Sequence, residues 1–439
     1  MRRIVFGIAI AIGLAIGGLE IVRGISLARE APPPHPATPV VQWSHEARRA
    51  IVPRGPNGLF GLENYGNKFP GEAAIYMAIV HAAIYDAALA IDGGYQPYAI
   101  ALTAPAATSP EAAIATAAYR TLKGLDLDLS AEGQMILEKS YSDSIAAVPT
   151  GPARDSGVAI GIQVANAVLA LRQNDGREKK PVLGDLNPPP PGPGVWDEGS
   201  TPAVGLRVPG IRPLGLERAS QFRPDGPSAM ASAEYANDFD EVKSLGRIDS
   251  ATRRDEQRIQ ALFWTDHDLR QWNDAMLTLV RTRDLDLVRA ARMLVMGHVA
   301  GGDAMIACFD AKYTYWFWRP YQAIPHADQD PNPATVADAA WTPLRPTPNF
   351  PEYPSAHACH STAMAEALEE FFGTDRVPFT IDSRVTQTTR EYQRFHDAYK
   401  DVDWARVLVG FHFRNSDQEG SNLGRKVARY IFAHRFAPK

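Results

Sequence analysis

The run FPGEAAIYMAIVHAAIYDAALAIDGG, residues 69–94, sets the terms for the fold. Pro70 stands where a helix can begin, apolar residues recur at helical spacing, and Gly93-Gly94 stops the pattern. The same periodicity returns around 110–147 and 152–174, then over 252–283, 286–317, Ala356 to Phe372 ahead of Gly373, 383–400 and 418–434. Alternating strand patterns are nearly absent. An all-α protein is therefore expected, built as two helical-bundle halves. Between the halves, DLNPPPPGPGVWDEG places five prolines and three glycines from Asp185 to Gly199, which excludes a helix and reads as a crossing loop.

A chain of 439 residues is long enough for one large or two moderate domains with a substantial core. Its net charge of −5 gives no general reason to expect nucleic acid or an anionic membrane surface as partner, so any anion site must be built locally. The N-terminus, MRRIVFGIAIAIGLAIGGLEIV, sets two arginines before an apolar run from Ile4 to Leu19, with Ser26-Leu27-Ala28 as a cleavage candidate. Residues 1–30 thus read as a signal peptide or N-terminal anchor, and the expected location is secreted or periplasmic, with membrane contact only if that segment is retained. Residues 31–64, opening on APPPHPATP, read as a Pro-rich extended linker, 65–231 as the N-terminal helical half with its crossing loop, and 232–439 as the C-terminal half. Two cysteines, Cys308 and Cys359, cannot make a disulfide framework and read as small buried hydrophobes.

Three motifs in the C-terminal half carry chemistry. In AKYTYWFWRP, Lys312 and Arg319 are seven apart, so an unbroken helix would project them from one face, with Pro320 able to end it. Such a pair is more often a solvated basic face, but Tyr313, Tyr315, Trp316, Phe317 and Trp318 around it argue for burial. In FPEYPSAHACHS, Pro354 holds Tyr353 extended and Ser355 suits a helix N-cap, where free backbone N–H groups can receive an oxyanion. In DWARVLVGFHFRNSD, Arg406 and His412 are six apart and meet a common ligand only if the backbone turns, which Gly410 permits. Each motif alone has a bland structural reading. Together, three cations, a helix N-terminus and two histidines would be costly to bury without a compensating anion, each uncompensated charge costing several kcal/mol. A tetrahedral oxyanion meets that demand, since Arg offers a planar fork and Lys a point charge.

Lys, six residues, Arg-Pro; then Pro-Ser-Ala-His; then Arg, three residues, Gly, one residue, His: this order across residues 312–412 resembles the signature of the vanadium-dependent haloperoxidases and the related type 2 phosphatidic-acid phosphatase (PAP2) superfamily. The runs FDAKYTYWFWRP, WTPLRPTPNFPEYPSAH and GFHFR look most like the soluble bacterial haloperoxidase branch. The resemblance implies that Lys312, Arg319 and Arg406 bind the oxygens of vanadate or phosphate, with Ser355 and the Ala356 amide adding hydrogen bonds. It implies that His412 is the vanadium ligand, or a phosphohistidine nucleophile in a phosphatase, and that His357 is the acid–base group, titrating near working pH. Asp266, in FWTD, looks like the acidic residue that braces the last arginine in the family. The implied cofactor is vanadate, with hydrogen peroxide and halide as substrates, or a phosphate ester and no vanadium.

The chain departs from the family pattern at Ala356, where glycine is usual, and at Ala405, where a serine often precedes the last arginine. Phe350 and Phe309 occupy positions that line the halide side in fungal chloroperoxidase-like members. His357 and His360 are spaced for a metal on one helix face, but HExxH is absent and a zinc site would need further ligands, so His360 is expected to pack behind the site. Three functions stay open: vanadate-dependent haloperoxidase, acid phosphatase in the same pocket, and an exported oxyanion-binding protein disabled by Ala356.

Overall fold

A computed structural model describes residues 34–439, and the signal or anchor segment read at residues 1–30 lies outside them. The described chain forms thirteen α-helices and one two-stranded hairpin. The first five helices are α1 (Thr38–Ile51), α2 (Pro70–Asp92), α3 (Pro110–Gly124), α4 (Ala131–Ala146) and α5 (Pro152–Leu171). Prolines open α2, α3 and α5, where a missing N–H removes no intrahelical bond, and Ser109 caps α3 by accepting from the Ala112 amide at 3.2 Å. Residues 172–232 cross the molecule with only short 3₁₀ turns, as the proline cluster requires.

The second series is α6 (Ala233–Leu245), α7 (Asp255–Phe263), α8 (Asp268–Thr282), α9 (Leu287–Tyr315), α10 (Pro320–Ala323), α11 (Ala356–Phe372), α12 (Phe395–Leu408) and α13 (Arg414–His434). α2 lies along α9, α3 against α5, and α11 against α9 and α13. Both α2 and α9 are long and apolar enough to cross a membrane, yet 94% of the apolar window of each is buried inside the bundle, where it forms the middle of the core. The two halves expected from the sequence therefore share one apolar core, because α2 of the first packs on α9 of the second.

Two expectations are corrected here. Part of the supposed extended linker, 31–64, is the helix α1, whose Val40, Trp43, Ala47, Ala50 and Ile51 form a fully buried stripe at helical spacing. The prolines that suggested an extended chain stop at Pro39, inside the first turn, a position that starts helices. The helix expected over 383–400 is instead a hairpin followed by α12. Strand β1 (Phe379–Ser383) pairs antiparallel with β2 (Thr388–Tyr392), with Phe379 opposite Tyr392. Thr388, Thr389 and Tyr392 favour a strand over a helix, which outweighs the weak helical spacing there.

α13 crosses α11 at two glycines four residues apart. A Cβ on Gly424 would lie 2.3 Å from the Cys359 carbonyl oxygen, and one on Gly420 would lie 2.7 Å from the Ser355 carbonyl oxygen. Backbone atoms cannot yield as side chains do, so this contact fixes the start of α11. Gly424→Ala should lower unfolding stability by about 1–3 kcal/mol through overpacking, measured by chemical denaturation. An unchanged midpoint would mean that the crossing is looser than described.

Candidate oxyanion site

The site forms where the C-terminal end of α9, the loop before α11, the first turn of α11 and the end of α12 come together. Lys312 lies in the last turn of α9, which stops at Tyr315 because Trp316 takes a left-handed conformation, φ 54°. Arg319 follows as the residue capping α10. Lys312 and Arg319 thus do not share a helix face, contrary to the spacing argument, and Pro320 begins a helix where it was read as ending one. The reversal at Trp316 brings the two cations together by another route. Both sit on the Phe350 ring, with Lys312 Nζ 4.9 Å and Arg319 Cζ 4.8 Å from its centroid.

Backbone carbonyls aim the cations. Lys312 Nζ donates to Pro351 O at 2.9 Å and Glu352 O at 2.8 Å, leaving one N–H uncommitted. Arg319 donates from Nε to Phe350 O and from Nη1 to Phe411 O, both at 2.9 Å. Arg406, near the end of α12, donates from Nη1 to Trp264 O at 2.8 Å, and its Nε has no protein partner. Burial lowers Lys312 to about 8 and Arg319 and Arg406 each to about 10. The chain then turns at Gly410, φ 83°, and delivers His412 beside Arg319, whose Nη1 is 2.9 Å from His412 Nε2. Burial first, then Arg319, Lys312, Arg406 and His357, push His412 well below the usual histidine range. All these groups surround one imidazole.

Glu352 was not singled out in the sequence, yet it ties the motifs together. Its Oε1 is 2.9 Å from His412 Nδ1 and accepts from the Phe413 amide at 3.0 Å, while Oε2 accepts from Ser416. The carboxyl is completely buried, and burial raises it to about 7 against the pull of Ser416, Arg319 and Lys312. Its bond to Nδ1 leaves Nε2 as the nitrogen that faces the cations. The available signal was an acidic residue held between two prolines in FPEYPSAH.

Ser355 caps α11 by position, but its hydroxyl makes no capping bond and has no protein partner. The Ala356 amide opens the helix, where the first N–H groups lack intrahelical acceptors. His357 follows, partly exposed, with Nε2 unpartnered. Burial and then Arg406 lower it to about 3, so the ring is neutral and does not titrate near working pH. The bracing role expected of Asp266 is also corrected. Asp266 accepts from Arg270 at 2.7 Å and from the Arg384 amide at 2.7 Å, an i,i+4 pairing that consumes it locally. The carboxylates acting on Arg406 are Asp417 and Asp268. Asp268, two residues beyond Asp266, lies 3.1 Å from His360 Nδ1, and its carboxyl is held far below the usual range chiefly by His360 despite burial.

HACH does not nucleate a metal cluster. Among the described residues, the group whose potential ligand atoms converge is Glu366, Glu369 and His396, where Arg425 and Arg429 already pair with Glu366. Phe309 packs against Phe350 at 5.2 Å and Phe69 against Phe309 at 5.6 Å, an apolar wall beside the two cations. Ala405, the residue before Arg406 on α12, is fully buried.

Residues 292–437 match the family described as the VCPO second helical-bundle domain. The fold is similar to that of a bacterial vanadium-dependent iodoperoxidase, at 22% identity and TM-score 0.74, over 93% of this chain and 99% of that one. A bacterial vanadium-dependent chloroperoxidase is similar in its holo form at 15% identity and TM-score 0.66, over 92% and 98% of the two chains. Its apo form gives 16% identity and TM-score 0.64, over 84% and 94%. No curated protein matches the chain. The fold is that of the vanadium haloperoxidases. The chain shares this fold with those enzymes, and over residues 292–437 it shares the VCPO-type second helical bundle.

The buried lysine makes anion binding depend on pH. Its folded pKa is depressed below the ordinary lysine value of 10.5 to about 8, so the stability linked to it is present above the unfolded value and is lost as pH falls through about 8. Below that point the ammonium burdens the anion-free fold, and a bound anion relieves it. Sulfate keeps its charge across this range. At a hundredfold its Kd, it should stabilise the protein by about 2.7 kcal/mol near neutral pH and by less at about pH 9.5. Thermal unfolding checks this, with Lys312→Met expected to remove the pH difference. Equal increments at both pH values in both proteins would indicate a general salt effect.

Proposed function

We propose that the chain is a vanadate-dependent haloperoxidase, oxidising a halide with hydrogen peroxide to hypohalous acid. One observation carries the reading. Lys312, Arg319 and Arg406 are buried around His412, and Ser355 Oγ, His357 Nε2 and Arg406 Nε at the same place have no protein partner.

The residues fit a tetrahedral oxyanion. Asp268 is ionised, Glu352 is raised to about 7 and Asp417 is raised well above the usual range by burial, so the three cations are only partly neutralised. The uncommitted Lys312 N–H, Arg406 Nε, the Ser355 hydroxyl and the Ala356 amide would hold its oxygens through bonds worth roughly 1.5–3 kcal/mol each when charge-assisted. His412 would ligate vanadium through Nε2, with Glu352 fixing the ring through Nδ1, the arrangement by which carboxylates orient metal-bound histidines. Vanadate held there would supply a redox-inert Lewis acid that polarises hydrogen peroxide toward halide attack.

The protein's part is proton handling and positioning. His357 is neutral and presents a free Nε2, so it can take the peroxide proton. An anion beside it raises its basicity by favouring the charged form, so it can keep that proton and return it, a contribution of roughly 10²- to 10⁴-fold. Lys312 and Arg319 stabilise the negative charge that develops on oxygen, and the Phe350–Phe309 wall limits water on one side.

Protein incubated with orthovanadate and cleared of excess should halogenate with peroxide plus bromide or iodide, and should not do so without vanadate. His412→Ala should abolish this, and His357→Ala should lower it by roughly 10²- to 10⁴-fold. Halogenation that persists in His412→Ala would contradict the proposal. Hydrolysis of a phosphate monoester by vanadium-free protein, without halogenation, would assign the pocket to a phosphatase.

A further inference from the structure

Behind the oxyanion site the core holds a series of polar side chains that the proposed reaction leaves unexplained. Asp268 on α8 lies 3.1 Å from His360 Nδ1 on α11. The other edge of His360 packs on α9 at Gly301, where a Cβ would come within 2.9 Å of Nε2. One turn earlier on α9, His298 stacks on His81 of α2 with ring centroids 4.5 Å apart, and its Nε2 is 3.0 Å from Asn273 Oδ1. Ser44 of α1 donates to that same Oδ1 at 3.0 Å and lies 3.1 Å from His81 Nε2. Ser44, His81, Asp268, Asn273, His298 and His360 are each no more than 1% exposed.

Such a set is an odd investment for a core. His357 Nε2, His360 Nε2, His298 Nδ1, His81 Nδ1 and Asn273 Nδ2 have no protein partner. Each would cost roughly 1–3 kcal/mol if left dry, so their clustering calls for bridging water. The far end of the series is close to solvent. Asn273 and Ser44 adjoin Asp274 and His45 in sequence, and these line an open cleft of about 550 Å³ together with Arg48. Arg48 closes its floor, with Nε 3.2 Å from Asp274 and Nη2 2.9 Å from His45 Nε2.

We infer that His357, Asp268, His360, His298, His81, Asn273 and Ser44 form a hydrated proton path joining the oxyanion site to the cleft at His45, Arg48 and Asp274. Its purpose rests on the haloperoxidase reading. Hydrogen peroxide, halide and one proton give hypohalous acid and water, so each turnover consumes a proton at a buried site. The peroxide O–O bond breaks, one oxygen joins the halogen as the halide loses two electrons, and the other oxygen leaves as water with the delivered proton. Neutral imidazoles suit the task, because one ring nitrogen accepts a proton while the other donates one. Burial keeps His81 at about 3 and His298 well below the histidine range, so neither stores the proton it passes.

The path is tested in the wild-type protein without any turnover. With ¹⁵N-labelled histidine, the ring N–H groups of His81 and His298 should exchange with solvent deuterium much faster than the backbone amides of α2 and α9 around them. Ring protection as strong as that of those amides would mean a dry structural core and would overturn the inference. In vanadate-loaded protein, His298→Leu should leave orthovanadate affinity unchanged, lower bromide oxidation roughly tenfold and enlarge the solvent deuterium isotope effect. Unchanged rate and isotope effect in a folded variant would also overturn it. If loaded wild type oxidises no halide, the haloperoxidase reading fails, while the exchange measurement still decides whether the path exists.

Discussion

The structure depends on three cations buried with too little negative charge nearby. Taking Lys312, Arg319 and Arg406 out of water costs several kcal/mol per ion unless other groups solvate them. The protein supplies that solvation mainly from backbone carbonyls: Pro351 and Glu352 for Lys312, Phe350 and Phe411 for Arg319, Trp264 for Arg406. These carbonyls sit in irregular segments, which explains why helix ends and proline-rich loops converge here. Regular helix would have spent the same oxygens on its own amides. The Phe350 face adds a sequence-tolerant attraction for two of the cations and shields them from water.

Glu352 holds this arrangement in register. One carboxyl reaches His412, the Phe413 amide and Ser416, so the loop before α11 and the turn before α13 cannot move independently. The close glycine crossing of α13 on α11 fixes the same two segments from the other side. Position and tautomer of His412 therefore follow from packing, and the ligand-facing nitrogen is chosen before any anion arrives. The cations, in turn, keep Glu352 from rising further and His412 from charging.

Much of this was legible in sequence and some was not, for identifiable reasons. The identities and order of Lys312, Arg319, Ser355, His357, Arg406 and His412 were plain, as was the turn at Gly410, because motif spacing and glycine conformation are local properties. The shared helix face of Lys312 and Arg319 was wrong because periodicity does not reveal a left-handed residue such as Trp316. Asp266 reads as the bracing acid from FWTD alone, and nothing in that motif shows that Arg270, four residues on, claims its carboxylate. Glu352 stayed hidden because an isolated glutamate near prolines usually faces solvent. The helix α1 was masked by neighbouring prolines, and the β1–β2 hairpin by weak spacing across a short segment.

The central claim is that these buried cations and His412 form one site for one tetrahedral oxyanion. Calorimetric titration of the purified protein with orthovanadate tests it most directly. The structure predicts one anion bound per chain, displaced by phosphate and lost in Arg319→Ala. No binding, several equivalent weak sites, or binding that survives Arg319→Ala unchanged would contradict it.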